Sequence, residues 1–268
     1  MIDQPLRPPL NKPVTLKDYD PDYTGGVTKD AARQELDKLQ VEIALRQEML
    51  YAQGKFALLI VLQGMDTSGK DGTVKKVFEE VNPLGVRVAS FKTPTPLELS
   101  HDFLWRIHQQ TPPKGYIGIF NRSHYEDVLI VRVENLVPQA VWEQRYEQIN
   151  QFEAMLSANG TRILKFFLHI SKAEQKKRLQ ERLDDPEKHW KFSLGDLPVR
   201  AKWDEYMRAY EAVLTRCNTE AAPWHIIPAN YKWYRDLVIS RTIVNVMKEL
   251  PLAFPPPEHD LSNVVIPD

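Results

Sequence analysis

Two rhythms of apolar residues alternate along the chain. Near-continuous apolar runs of strand length occur at 56–62, 116–120, 162–170 and 224–227, and 86–91 alternates like a short strand. Between them, apolar residues recur every three or four positions, as with Leu36, Leu39, Ile43 and Leu50, or Val74, Val77 and Phe78. That spacing predicts helices at 28–52, 70–80, 97–109, 138–158, 173–183, 198–215 and 236–250. Pro112-Pro113, Asn159-Gly160 and Asp184-Asp185-Pro186 mark where three of them stop. Strands alternating with helices predict an α/β fold, a parallel sheet flanked by helices on both faces. The ends, 1–27 and 251–268, are proline-rich and aperiodic and read as an arm and a tail. No repeat or low-complexity linker divides the rest, so residues 1–268 read as a single domain.

The first strand runs into Gly64-Met65-Asp66-Thr67-Ser68-Gly69-Lys70-Asp71-Gly72. Strand, glycine-bounded loop and helix are the setting of a phosphate-binding P-loop of the Walker A kind. Backbone N–H groups near Gly64 and Gly69 can point at an anion, the helix N-terminus adds partial positive charge, and Lys70 adds a full one. One part is missing: Asp71 stands where a Mg²⁺-ligating Ser or Thr normally follows the lysine. Asp66 lies inside the loop, where a carboxylate beside bound phosphate calls for a cation between them. Together they predict Mg²⁺ held by a loop carboxylate.

Composition narrows the classes. The 268 residues carry a net charge of −1, so any polyanion is held by a local cationic groove rather than by bulk charge, and nucleic acid is disfavoured. The single cysteine, Cys217, permits no internal disulfide, and the start Met1-Ile2-Asp3-Gln4-Pro5 shows no signal peptide. The apolar runs are too short to span a membrane. A cytoplasmic protein without a membrane partner is expected.

In parallel sheets ligands sit beyond the carboxyl ends of strands. There the third strand ends in Asn121-Arg122-Ser123-His124-Tyr125-Glu126-Asp127. Arg122 offers a bidentate fork for phosphate, and Glu126 and Asp127 are candidates for a metal or a second substrate. Lys176, Lys177, Arg178 and Arg182 follow the fourth strand, where nucleotide kinases carry an arginine-bearing helical lid, here within about 172–208. Trp190 and Phe192 read either as packing for the closed lid or as core anchors. The histidines lack the spacing of a zinc site, and Ser123 beside His124 lacks the glycine elbow of a nucleophile.

These motifs, with His101-Asp102-Phe103-Leu104-Trp105-Arg106, Lys188-His189-Trp190-Lys191-Phe192 and Lys232-Trp233-Tyr234-Arg235, resemble the polyphosphate kinase 2 family over roughly residues 30–250. In that family an Asp after the loop lysine is normal. The resemblance implies a thymidylate kinase-like fold, inorganic polyphosphate as phosphoryl donor and a requirement for Mg²⁺. It assigns phosphate contacts to Gly69, Lys70 and Arg122, metal to Asp66, and the polyphosphate channel to Arg178 and Arg182 with Lys75 beside them. Many members carry Asp where this chain has Asn121, and Arg where it has Asp127. The Glu126-Asp127 form looks like the subgroup acting on nucleoside mono- and diphosphates, which assigns metal to Asp127 and acceptor recognition to Glu126 and Asp127. Family members form dimers or tetramers, and the apolar stripe of the first long helix either serves that purpose or covers the sheet.

The expected reaction is reversible transfer of a terminal polyphosphate phosphoryl group to AMP and ADP, with Lys70, Arg122, Asp66 and Asp127 as the catalytic set. The rivals are an ordinary ATP-dependent kinase and a non-catalytic polyanion-binding protein.

Overall fold

A computed structural model describes residues 7–262 and 264–267. The first residues of the arm, 1–6, and positions 263 and 268 of the tail lie outside them. Five strands, β1 (Ala57–Gln63), β2 (Val86–Ser90), β3 (Ile117–Asn121), β4 (Thr161–His169) and β5 (Trp224–Pro228), form one parallel sheet in the order β2-β3-β1-β4-β5. β1 is central and buried along its whole length, which is why its sequence is apolar without alternation.

The long helices are α1 (Lys29–Gln53), α2 (Lys70–Val77), α6 (Gln139–Ala158), α7 (Lys172–Asp184), α9 (Trp203–Arg216) and α10 (Lys232–Glu249). Shorter ones are α3 (Pro96–Leu99), α4 (Trp105–His108), α5 (Ile130–Val133) and α8 (Asp196–Ala201). The Thr28 side chain accepts from Ala31 N–H to start α1, and Gly54, at φ 61°, ends it in a left-handed turn. The stripe Leu36, Ile43 and Leu50 is buried and α1 packs on α10, so it covers the fold rather than facing outward. From Pro8 on, the arm is fastened along α9: Val14 N–H donates to Thr215 and Leu16 N–H to Glu211.

Three helix boundaries differ from the sequence expectation. The stretch 97–109 is two short helices, because a Thr95–Glu98 capping box starts one and Ser100 and His101 side chains cap its carbonyl at Leu97. Asp102 then accepts from Leu104 N–H to begin the next. The stretch 198–215 breaks at Lys202, where α8 ends and α9 begins. The last helix starts at Lys232, a turn earlier than the apolar pattern indicates. Among the described residues no helix is long and apolar enough to cross a membrane.

Candidate active site

The segments leaving β1, β3, β4 and β5 all emerge at one edge of the sheet, where they carry 64–70, 121–127, α7 and α10. Gly64, at φ 150°, lies so close to Leu168 O and Ser68 Oγ that a Cβ would stand 2.8 Å from each. Gly69, at φ 105°, leaves even less room, since a Cβ would fall 1.8 Å from Arg235 Nη1. Thr67 and Arg122 also have positive φ, 66° and 62°, a costly backbone for non-glycine residues and one that concentrates at functional sites. Arg122 is held there by its N–H donating to Leu62 O at 3.0 Å.

Lys70 is buried, and its Nζ donates to Gly64 O at 2.8 Å and Met65 O at 3.3 Å. Burial, with Arg122 nearby, lowers its pKa to about 8. Arg122 donates to Asp66 and, at 3.4 Å, to Glu126. Burial works against its charge, but the Glu126 and Asp66 carboxylates outweigh that and hold its pKa above the ordinary value. Asn121 donates its amide to Asp71.

Two cavities meet at these residues. One, about 640 Å³, is lined by Thr67, Gly69, Lys70 and Asp71 of the loop and by Arg182, Lys188, Trp190, Lys191, Lys232 and Arg235. The other, about 550 Å³, has apolar walls from Leu129, Ile130, Val131, Leu136, Val137 and Val199, with Arg106, Arg145, Glu126, Asp127, Tyr206 and Tyr210 among them. Asp66, Phe91, Lys92, Arg122 and Asp196 line both. Asp196 has a raised pKa, from burial first and then from facing Asp66.

Asp127 lies in the second cavity between two arginines: Oδ1 accepts from Arg145 at 3.0 Å, and Arg106 approaches Oδ2 at 4.0 Å without a hydrogen bond. Burial raises its pKa to about 6 against the pull of Arg145 and Arg106. Behind this segment sits a buried polar network. Glu153 accepts from Tyr125 and Lys165 and pairs with His124 Nε2, and Lys165 also donates to Tyr125 and to Cys217 O. The network fixes the turn that carries Glu126 and Asp127 against α6 and β4.

The structure thus brings Asp66, Gly69, Lys70, Arg122, Glu126 and Asp127 together and puts Arg182 in the wall of the loop-side cavity. Arg178 also stands in that wall. It is buried, and all five of its donors are taken: Glu174, the Thr67 and Ser68 carbonyls, and the Ala229 and Asn230 carbonyls. It lines the loop-side cavity as expected, but with its hydrogen bonds committed to the loop and to Glu174. Lys75 is exposed on α2 and lines neither cavity, because helical periodicity turns it away from the loop. Trp190 is 79% exposed, so it is no core anchor, and Lys191 Nζ stacks over its ring. Arg106, Arg145, Lys232 and Arg235 take part without having been assigned roles from sequence; Arg106, Lys232 and Arg235 stood in motifs already singled out. Among the described residues no group of three or more His, Cys, Asp or Glu side chains could hold a metal by itself.

The profile of the family described as polyphosphate kinase 2 matches residues 26–253. An AMP/ADP-polyphosphate phosphotransferase of Meiothermus ruber is 55% identical over 253 residues, 94% of this chain and 95% of that protein. An ADP-polyphosphate phosphotransferase of Rhodopseudomonas palustris is 46% identical over 234 residues, 82% of this chain and 81% of that one. The crystal structure of polyphosphate kinase 2 from Arthrobacter aurescens TC1 matches with a TM-score of 0.92 at 45% identity, covering 96% of this chain and 92% of that one.

Proposed function

The chain belongs to the polyphosphate kinase 2 family and is a phosphotransferase, and we propose that it moves the terminal phosphoryl group of inorganic polyphosphate onto AMP and then ADP. The observation that carries this reading is the pair of cavities sharing Asp66 and Arg122. One is walled by a phosphate loop and lysines, as a base-less polyanion requires. The other offers apolar surface for a nucleobase beside arginines for its phosphates.

The acceptor is an anion, so the reaction needs no strong general base. Its obstacle is bringing two polyanions into line, and catalysis is positioning plus charge neutralisation. Lys70 and the loop N–H groups seat the donor end. Arg122, on the shared wall, bridges donor and acceptor and stabilises the charge spreading over the transferred group. Alignment of this kind contributes on the order of 7–11 kcal/mol of barrier reduction. The segment carrying Arg182, Lys188 and Lys191 serves as the lid that excludes water. Donor and product anhydrides are of similar energy, so the reaction is reversible.

The donor set suits Mg²⁺, a hard cation that takes carboxylate oxygens: Asp127 Oδ2 is buried without a hydrogen-bond partner, and Asp66 opens onto the same cavity. Asp66 and Asp127 would hold the ion, which when bound neutralises phosphate charge. Asp127 also orients Arg145. We place the protein in the cytoplasm, acting without nucleic acid or membrane. We assign it to a homo-oligomer, on the strength of Val41 and Leu45, which stay exposed on α1 one helical turn apart.

The test is incubation of the purified chain with AMP, polyphosphate and Mg²⁺ and no ATP. ADP and then ATP should accumulate. Product formed only when ATP is supplied would make it an ordinary nucleotide kinase, and binding without turnover a polyphosphate reader.

A further inference from the structure

Three consecutive carbonyls of the phosphate loop are captured from outside. Gln175 donates to Asp66 O at 3.1 Å, Arg178 to Thr67 O at 3.0 Å and Ser68 O at 3.2 Å, and Arg235 to Ser68 O at 3.4 Å. All three side chains are buried and come from α7 or α10. Arg178 also grips Ala229 O and Asn230 O at 2.7 and 2.8 Å, so it ties the loop after β5 to the loop after β1. Arg235 is itself fixed by Asp236 at 2.8 Å, and its guanidinium stands where a side chain at Gly69 would have to go.

A trans peptide points its N–H opposite to its C=O. Fixing the Asp66 and Ser68 carbonyls therefore also fixes the Thr67 and Gly69 N–H groups, and both residues line the cleft. Thr67 is held at positive φ between neighbours, the alternation of handedness that makes a backbone nest for anions. A local turn, with Ser68 N–H donating to Met65 O at 3.0 Å, spans Thr67, and the bonds from α7 and α10 add to it.

We propose that Gln175, Arg178 and Arg235 are positioning residues that hold the phosphate loop in its anion-binding shape by fixing its carbonyls. The inference rests on the proposed polyphosphate chemistry for the identity of the anion. Arg178, the centre of the set, acts through hydrogen-bond geometry, and its charge is not offered to the substrate.

The experiment is calorimetric titration of inorganic tripolyphosphate into the full chain and its variants across a salt series, alongside KM values for AMP and polyphosphate. In Arg178→Met the misaligned loop should weaken tripolyphosphate binding about ten- to a hundredfold, the equivalent of one or two hydrogen bonds to a charged group. The slope of log affinity against log salt should stay as in the wild type, and KM for AMP should move less than about twofold, since the apolar cavity is untouched. Arg178→Lys keeps the charge but cannot span four carbonyls, so it should not rescue.

Rescue by lysine, or a salt slope shallower by about one in Arg178→Met, would make Arg178 a direct phosphate ligand and overturn the proposal. So would unchanged affinity with only a lowered Tm. Gln175→Leu keeps the reading testable if Arg178→Met does not fold. It removes one neutral bond and should cost about two- to tenfold in affinity at unchanged slope; no loss there would also overturn it. A wild-type chain that binds tripolyphosphate but makes no ADP from AMP and polyphosphate would instead sink the functional reading and leave the loop inference standing.

Discussion

The two cavities spend their cations differently. On the donor side, Lys188, Lys191 and Lys232 line the wall, while the deeper guanidiniums of Arg178 and Arg235 are given over to the loop backbone. On the acceptor side each arginine already has a carboxylate: Arg145 and Arg106 face Asp127, and Arg122 faces Glu126 and Asp66. An acceptor phosphate must compete with those carboxylates, so its affinity depends on the apolar walls and on a cation. A polyphosphate end meets surplus charge and needs little else. On the proposed reading the donor side suits any long polyanion and the acceptor side a nucleotide.

Arg122 shares the common wall with Lys92 and alone of the two is paired with Asp66 and Glu126 at the end of β3, so removing it should produce the largest effect. Loss of a charge-stabilising arginine in phosphoryl transfer costs about 10³–10⁵ in rate. Arg122→Ala should fall in that range in kcat at saturating polyphosphate and AMP, with both KM values raised. A variant within about tenfold of wild-type turnover would show that the cavities work independently and that the transfer point lies elsewhere.

Much of the donor side was legible because it is local. A seven-residue buried strand, two glycines and a lysine lie within one short stretch, and each has a physical reason that needs no distant partner. The acceptor side was less so. Asp127 and Arg145 are 18 residues apart, and nothing in the spacing says that they meet. The run of basic residues in α7 gave charge but not direction. Arg178 faces inward because Leu179 and Gln175, buried on the same side, set the face of the helix that meets the loop. One signal went unused. Lys165 interrupts the apolar stretch Ile163-Leu164-Lys165-Phe166-Phe167, and a buried ammonium requires a carboxylate, which Glu153 supplies at 2.6 Å.

The same contrast predicts opposite pH limbs for the two substrates. Lys70, lowered to about 8, carries its charge below that pH and loses it above. Because kcat/KM reports the free enzyme, the value for polyphosphate should fall toward tenfold per unit above about pH 8. Asp127, raised to about 6, is ionised above that pH and protonated below, where it could no longer help to hold a cation beside the acceptor phosphate. The value for AMP should therefore fall as pH drops through about 6. The phosphate of AMP titrates near the same pH, at roughly 6, so the decisive observation is slope: wild type should be steeper by one proton than Asp127→Asn. Equal slopes would remove Asp127 from acceptor recognition, and an alkaline limb common to both substrates would remove Lys70 from the donor side alone.

The smallest effect tests the apolar wall. Leu136 lines the acceptor cavity but not the loop-side one, and is 62% exposed, so a base can cover it at little reorganisation. Covering part of a leucine contributes about 1 kcal/mol at the usual 25 cal/mol per Å² of apolar area. Leu136→Ala should accordingly raise KM for AMP by about fivefold. KM for polyphosphate and kcat should hold, because Leu136 is absent from the lining of the loop-side cavity. A purine, with its larger face, should lose more than a pyrimidine nucleotide in the same variant. A rise in the polyphosphate KM instead would mean that the donor chain runs through the cavity assigned to the nucleotide, and the division of labour between the two would have to be reversed.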